Sequence, residues 1–318
     1  MKKLLAILVV ILMLVGCQSE QQQPEEPEHE EKVFNVGVLQ LVKHEALDAA
    51  TQGFMDALKE KLGDNVKFDE QNASGDASNC AMIANQFVSE NVDLIFANAT
   101  PALQAAATAT ADIPIIGTSV TSFKVALGID NWTGVTGVNV TGTSDLAPLD
   151  QQAAQVLELF PEAKKVAIFF CSAEPNSVFQ ADEIEKHFAS LGVETERFTF
   201  ADSNDIAQVA SSASEFGDVV YIPTDNAAAS YATFEQFSKP VIAGEAGICK
   251  NVGVATISIA YYDIGFRAGE MAFDILVNGK DPASMKVEEV TKTQKLFNPE
   301  HAQAFNVEVP AEYKDVFE

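Results

Sequence analysis

Six short polar segments follow apolar runs, and their residue types suit a grip on a small dipolar molecule. They are Gln40, then Thr100-Pro101-Ala102, Thr118-Ser119, Ser172 with Glu174, Asn176 and Ser177, Asp225-Asn226 after Thr224, and Glu245 after Gly244. Thr100-Pro101 and Asn176-Ser177 lead into stretches of helical character. The free N–H groups and dipole of a helix start receive an anion, with neighbouring hydroxyls as further donors. Asp225, and Glu245 with it, supplies negative charge. An anion site facing a carboxylate is what the two poles of an α-amino acid require. Each Ser, Thr, Asn or Asp taken alone is equally explained as a helix cap.

Patterns for bond-making chemistry are missing. There is no G-x-S-x-G elbow, H-E-x-x-H, Walker A loop or G-x-G-x-x-G. No catalytic residue, cofactor or metal ligand is therefore expected. The histidines, His29, His44, His187 and His301, are scattered. His44, beside the first strand, can line a cleft or simply start a helix, and the second is the simpler reading. Trp132 is expected to pack rather than stack on a ligand. Cys80, Cys171 and Cys249 have no metal or disulfide spacing and read as small buried hydrophobes.

The elements that must position these segments alternate. Strands are expected at Val33–Leu39, Val66–Asp69, Asp93–Ala97 and Ile113–Gly117. Helices are expected over Ala46–Leu62, from Ser78 as cap to near Glu90, and from Thr100 as cap with Pro101 behind it. Thr118–Asp145, rich in Gly, Thr and Val, reads as a loop plus a strand leaving the first half. A second series follows: helix Asp150–Leu159, strand Lys165–Phe170, helix Ser177–Leu191, strand Glu194–Phe200, helix Ser203–Ser214, strand Asp218–Ile222, helix Asn226–Phe237 and strand Pro240–Ala243. Ala255–Ile259 is a strand, and Tyr261–Asn278 a strong helix ended by Gly279. A short strand and a last partial helix fall in Val287–Glu318. Strands alternating with helices imply α/β architecture with parallel sheets in two similar halves. The polar segments then gather at the carboxyl ends of the strands, where open α/β sheets bind ligands.

The first residues read as a targeting segment. Lys2-Lys3 precedes an apolar run, Leu4–Val15, too short to span a bilayer, which ends in Leu14-Val15-Gly16-Cys17. This resembles the lipobox of bacterial lipoproteins, with Cys17 as the lipidated residue. Residues 18–32, almost without apolar side chains, read as a disordered tether. With 20 Lys and Arg against 46 Asp and Glu, the formal net charge is −26. That argues against nucleic acid and against an electrostatic hold on anionic lipid. Membrane attachment is expected through the lipid alone.

The chain resembles the solute-binding lipoproteins of bacterial ABC importers, in the branch for tryptophan, tyrosine or phenylalanine. The matching pieces run in order: Val36-Gly37-Val38-Leu39-Gln40 with Ala46–Ala50, Gln71–Asp76, Ala99–Ala106, Val140–Asp145, Pro223–Asn226, and Gly244-Glu245 before Tyr261–Gly265. The resemblance implies a type I periplasmic-binding fold, two Rossmann-like lobes joined by three crossover strands near Asn139–Asp145, Ala255–Ile259 and after Gly279. One lobe would comprise 33–142 and 258–280, the other 143–257 and 281–318. It also implies that Thr100, Ser172, Asn176 and Ser177 hold the ligand's carboxylate and Asp225 its ammonium. Gly128–Trp132 and Cys171 depart from the family pattern, and both bear on side-chain specificity.

The function so implied is extracytoplasmic: a lipid-anchored, monomeric receptor captures a small, aromatic amino acid between its lobes and delivers it to an ABC permease. Alternatives are a sensing subunit docking on a signalling receptor and, less favoured, an extracytoplasmic hydrolase.

Overall fold

The computed structural model describes residues 32–289 and 292–318. The signal segment, Cys17 and nearly all of the tether lie outside the described residues. Val33–Glu318 forms one compact unit.

Its first half alternates strictly: β1 (Phe34–Gln40), α1 (Glu45–Leu62), β2 (Val66–Asn72), α2 (Ala77–Glu90), β3 (Leu94–Asn98), α3 (Thr100–Ala109), β4 (Ile115–Thr118), α4 (Phe123–Ala126) and β5 (Val140–Gly142). These strands make one parallel sheet in the order β2-β1-β3-β4-β5. The runs Leu94–Asn98 and Ile115–Thr118 are buried throughout, as expected of parallel strands covered on both faces.

The second half continues with α5 (Leu149–Leu159), β6 (Lys165–Cys171), α6 (Pro175–Ser190), β7 (Glu194–Phe200), α7 (Ile206–Phe216), β8 (Val219–Ile222), α8 (Asn226–Tyr231), β9 (Val241–Ala243), α9 (Ala246–Asn251) and β10 (Ala255–Ile259). After it come α10 (Tyr261–Leu276), β11 (Thr293–Phe297), α11 (Pro299–Ala304) and β12 (Lys314–Asp315). The second sheet has the order β12-β11-β10-β9-β8-β6-β7.

The chain passes between the sheets three times. It leaves the first after β5, returns after β10 to lay α10 on α1, and goes back into β11. The passages are tied side by side: Ser144 N–H donates to Glu288 O, and Glu288 N–H to Gly142 O. β11 is antiparallel to β10, whereas the other paired strands run parallel, as expected of the alternating series. The reason is the excursion: α10 lies on the other sheet, so the chain re-enters the second sheet from the end at which β10 left it.

α1 and α10 meet backbone to backbone. A Cβ on Gly265 would lie 1.9 Å from Ala50 O, and one on Gly53 would lie 2.2 Å from Tyr262 O. Only residues without a side chain permit that approach.

Several local expectations are corrected. Asp76, not Ser78, caps α2, accepting from Ser78 N–H and Asn79 N–H. Ala99, not Thr100, holds the N-cap position of α3, at φ 91°. Glu174 holds the N-cap position of α6, two residues before Asn176. The helix expected over Asn226–Phe237 stops at Tyr231, because Thr233 and Gln236 form a capping box that starts a separate 3-10 turn. Within Thr118–Asp145, Ser122 caps the short α4. α9 follows a cap by Glu245.

Candidate functional site

The strands of each sheet end on the side that faces the other lobe, and a cavity of about 390 Å³ lies there. Leu41, Val42, the 74–78 turn and Pro101 wall it from the first lobe. Glu174, the 201–203 turn, Asn226 and Tyr231 are among the residues walling it from the second. Its size falls within the roughly 300–1,000 Å³ usual for small-molecule sites. A cavity of about 400 Å³ near Asn35 and Lys67 belongs to the first lobe alone. Another of about 270 Å³ sits beside Glu45, Glu245 and Tyr261. The last also has walls from both lobes and a buried acid, Glu245, but that acid spends both oxygens on the amides that start α9. From it the first is distinguished by its size and by a buried carboxylate with an oxygen to spare.

That carboxylate is Glu174. Its Oε2 accepts from Asn176 Nδ2 at 3.0 Å, Asn226 N at 3.1 Å and Asn226 Nδ2 at 2.6 Å; its Oε1 accepts only from Ala227 N, at 2.9 Å. Oε1 therefore keeps acceptor capacity. Asp225 is bound differently. It caps α8 through Ala228 N at 2.7 Å, and its Oδ2 accepts from Cys171 N and Ser177 Oγ, both at 2.7 Å. It ties the ends of β6 and β8 together and does not line the cavity. Burial, and then Glu174 beside it, push its carboxyl up to about 7. Asp225 is thus the keystone of its own lobe, where a free counter-charge was expected, and Ser177 spends its hydroxyl on it.

Pro101, Glu174 and Asn226 are the expected residues that reach the cavity wall. Thr100 Oγ1, Ser119 Oγ and Asn176 Oδ1 are buried without a protein partner. Ser119 follows β4 directly and Thr100 follows β3 after Ala99, and Ala99 and Ser119 have φ of 91° and 52°. Positive φ in residues with a Cβ is backbone strain of the sort that clusters at functional sites. The remaining expected residues are turned elsewhere. Gln40 bonds Asp48, Thr51 and Val42 O beside α1. Ala102 packs in the first lobe's core. Thr118 pairs with Thr143 at 2.6 Å in the first passage between sheets. Ser172 is exposed and donates to Phe200 O. Glu245 caps α9 with both oxygens, and burial pushes it up to about 7.

Sequence reasoning missed an acid at the junction. Asp145 accepts from Thr121 Oγ1 and Tyr261 Oη, each at 3.0 Å, and burial raises it to about 6. The signal available was an acid in a stretch otherwise rich in Thr and Val. Asn98, the last residue of β3, carried no sequence expectation, and its Oδ1 is also unpartnered. His44 starts α1, as expected, yet its Nε2 lies 3.2 Å from Asn226 Oδ1 of the other lobe. Trp132 packs against the first lobe's core, and Cys80, Cys171 and Cys249 are buried free thiols.

The model of the family described as "ABC transporter substrate binding protein" matches residues 35–314. A tyrosine-binding protein of Clostridioides difficile is 34% identical over 323 residues, covering 96% of this chain and 93% of its own length. The crystal structure of an ABC domain from Streptococcus pneumoniae in complex with L-Trp superposes with a TM-score of 0.84 at 30% identity, over 88% of this chain and 97% of that one. The ligand-free, open structure of a substrate-binding protein with adhesive properties from Clostridium difficile gives 0.68 at 35% identity, over 89% and 99%. The second is more alike in sequence and less alike in shape.

Proposed function

The chain belongs to the ABC transporter substrate-binding protein family, and on that premise we propose that it captures an aromatic amino acid between its lobes. The observation that carries this reading is the cavity of about 390 Å³ shared by both lobes, with the Glu174 carboxylate in its wall. Glu174 Oε1 takes the ligand's ammonium. The unpartnered hydroxyls of Thr100 and Ser119, with the first amides of α3, take its carboxylate. Leu41, Val42, Pro101 and the ring of Tyr231 receive the side chain. Tyrosine and tryptophan, the ligands named for the two relatives, guide the choice.

The receptor is anchored outside the cytoplasm by lipid on Cys17, with residues 18–32 as tether, and hands its solute as a monomer to an ABC permease. No chemistry is done on the solute. Titration calorimetry with tryptophan, tyrosine, phenylalanine and leucine tests the ligand. Saturable binding of at least one aromatic amino acid, tighter than leucine, is expected. Binding of a sugar or nucleoside with none of the four would overturn the assignment.

A further inference from the structure

The cavity wall is held in place from the opposite lobe, through one histidine. His44 occupies the N-cap position of α1, where a side chain ordinarily accepts from the helix amides. It makes no such bond. Its ring instead spans the cleft, with Nε2 3.2 Å from Asn226 Oδ1. The orientation of the Asn226 amide follows from its other bond, because Nδ2 donates to Glu174 Oε2 at 2.6 Å. Oδ1 must then face His44, so His44 Nε2 carries the hydrogen and donates. That choice leaves Nδ1 as a bare acceptor, and Nδ1 is buried without a partner. A second proton on the ring would place an N–H and a charge where no acceptor meets them.

We propose that His44 is a positioning residue for ligand capture: as a neutral imidazole it fixes Asn226 across the cleft, and Asn226 in turn fixes the Glu174 carboxylate. The ligand role of Glu174 rests on the function proposed above; the chain from His44 to Glu174 does not. Closure then selects the neutral ring. Burial already holds His44 below the usual histidine range, against the opposing influence of Asn226, Asp48 and Glu45. The charged groups around it are Glu45 and Asp48 on its own helix, Lys250 of α9, which pairs with Glu45, and Glu174 behind Asn226. The sign follows from the contact itself: whenever the bond to Asn226 breaks and the ring meets water, it titrates near about 6.5. Below that pH closure must expel a proton, so ligand affinity falls with acid.

The test uses the full chain and two variants, His44→Gln, which retains a donor of similar reach without titrating, and His44→Ala. Hydrogen exchange in the absence of ligand is read at the Asn226 and Ala227 amides, both of which donate to Glu174. Exchange there is expected to speed up in His44→Ala and to stay near wild type in His44→Gln. Unchanged exchange in His44→Ala overturns the proposal whatever the ligand proves to be. With tryptophan or tyrosine as probe, wild-type affinity should lose up to about tenfold per pH unit below about 6 through this one proton. His44→Gln should show a slope shallower by that amount, and equal slopes overturn the requirement for the neutral ring. If wild type binds no aromatic amino acid, the function proposed above fails, and the exchange result still decides the role of His44.

Discussion

Asp225 and Glu174 lie in one lobe, near enough for the charge of Glu174 to raise the Asp225 carboxyl, and the donors around each separate their roles. Asp225 uses both oxygens on Ala228 N, Cys171 N and Ser177 Oγ. Asp225→Ala would remove a helix cap and leave two buried donors unmet. Those losses together come to about 2–4 kcal/mol of stability. The pH dependence has a definite sign. The carboxyl is raised from 3.8 to about 7 in the folded protein. Between those values the folded state holds a proton that the unfolded chain has released, so this group's contribution to stability falls as pH rises. Denaturant titrations should therefore show a larger penalty for Asp225→Ala at pH near 5 than near 8. A variant with an unmoved midpoint and abolished ligand binding would restore Asp225 as the ligand's counter-charge. In sequence the two acids look alike, each just before a helix. Which one faces a ligand depends on where the amides of β6 and α8 fall, and those meet only through the tertiary fold.

Among the elements, legibility follows the reach of the forces involved. β3, β4 and β8 are short apolar runs whose burial on both faces is written locally. The amphipathic stripe of α10, Ile264, Ala268, Met271 and Ile275, is likewise local and is buried as expected. The end of α8 was illegible because no Gly or Pro marks the stop between Asn226 and Phe237, and Thr233 wins by capping the following turn. The glycines of α1 and α10 carried no local signal at all: Gly53, Gly265 and Gly269 gain meaning only when two helices far apart in sequence cross. A methyl on Gly265 would sit 1.9 Å from Ala50 O, a rigid backbone atom. Gly265→Ala should force the helices apart and cost about 1–3 kcal/mol, the usual penalty of overpacking. The measurement is the chemical denaturation midpoint beside that of Gly279→Ala, whose site is open but has φ of 66°. A Gly265→Ala midpoint equal to wild type would mean that α10 does not rest on α1 in this way.

At the scale of the molecule, charge decides what kind of guest the cleft tolerates. Among the described residues the buried charged side chains are Asp145, Glu174, Asp225 and Glu245, all acids, with no buried Lys or Arg. Burial raises Asp145 to about 6 and both Asp225 and Glu245 to about 7. The cavity wall carries no Lys or Arg, so an anion entering it meets only neutral donors, for which the reading proposed above uses the Thr100 and Ser119 hydroxyls and the start of α3. A cation meets the Glu174 carboxylate in the cavity wall, with the other buried acids behind it and no buried Lys or Arg among the described residues to balance them. The ammonium must then supply the electrostatic part of the affinity, and the carboxylate the orientation. An aryl propionate, which keeps the ring and carboxylate of the amino acid and lacks its ammonium, should bind on the order of a hundredfold or more weakly, the scale of a buried charge left unpaired. Bringing in the ammonium also favours the ionised acids, so capture of the amino acid releases protons between pH near 6 and near 7. Calorimetry of the amino acid in two buffers of different ionisation enthalpy reads that release directly. Equal affinity for the aryl propionate and the amino acid, with no proton released, would mean that these carboxylates hold only the lobes together and leave the choice of guest to the shape of the cavity.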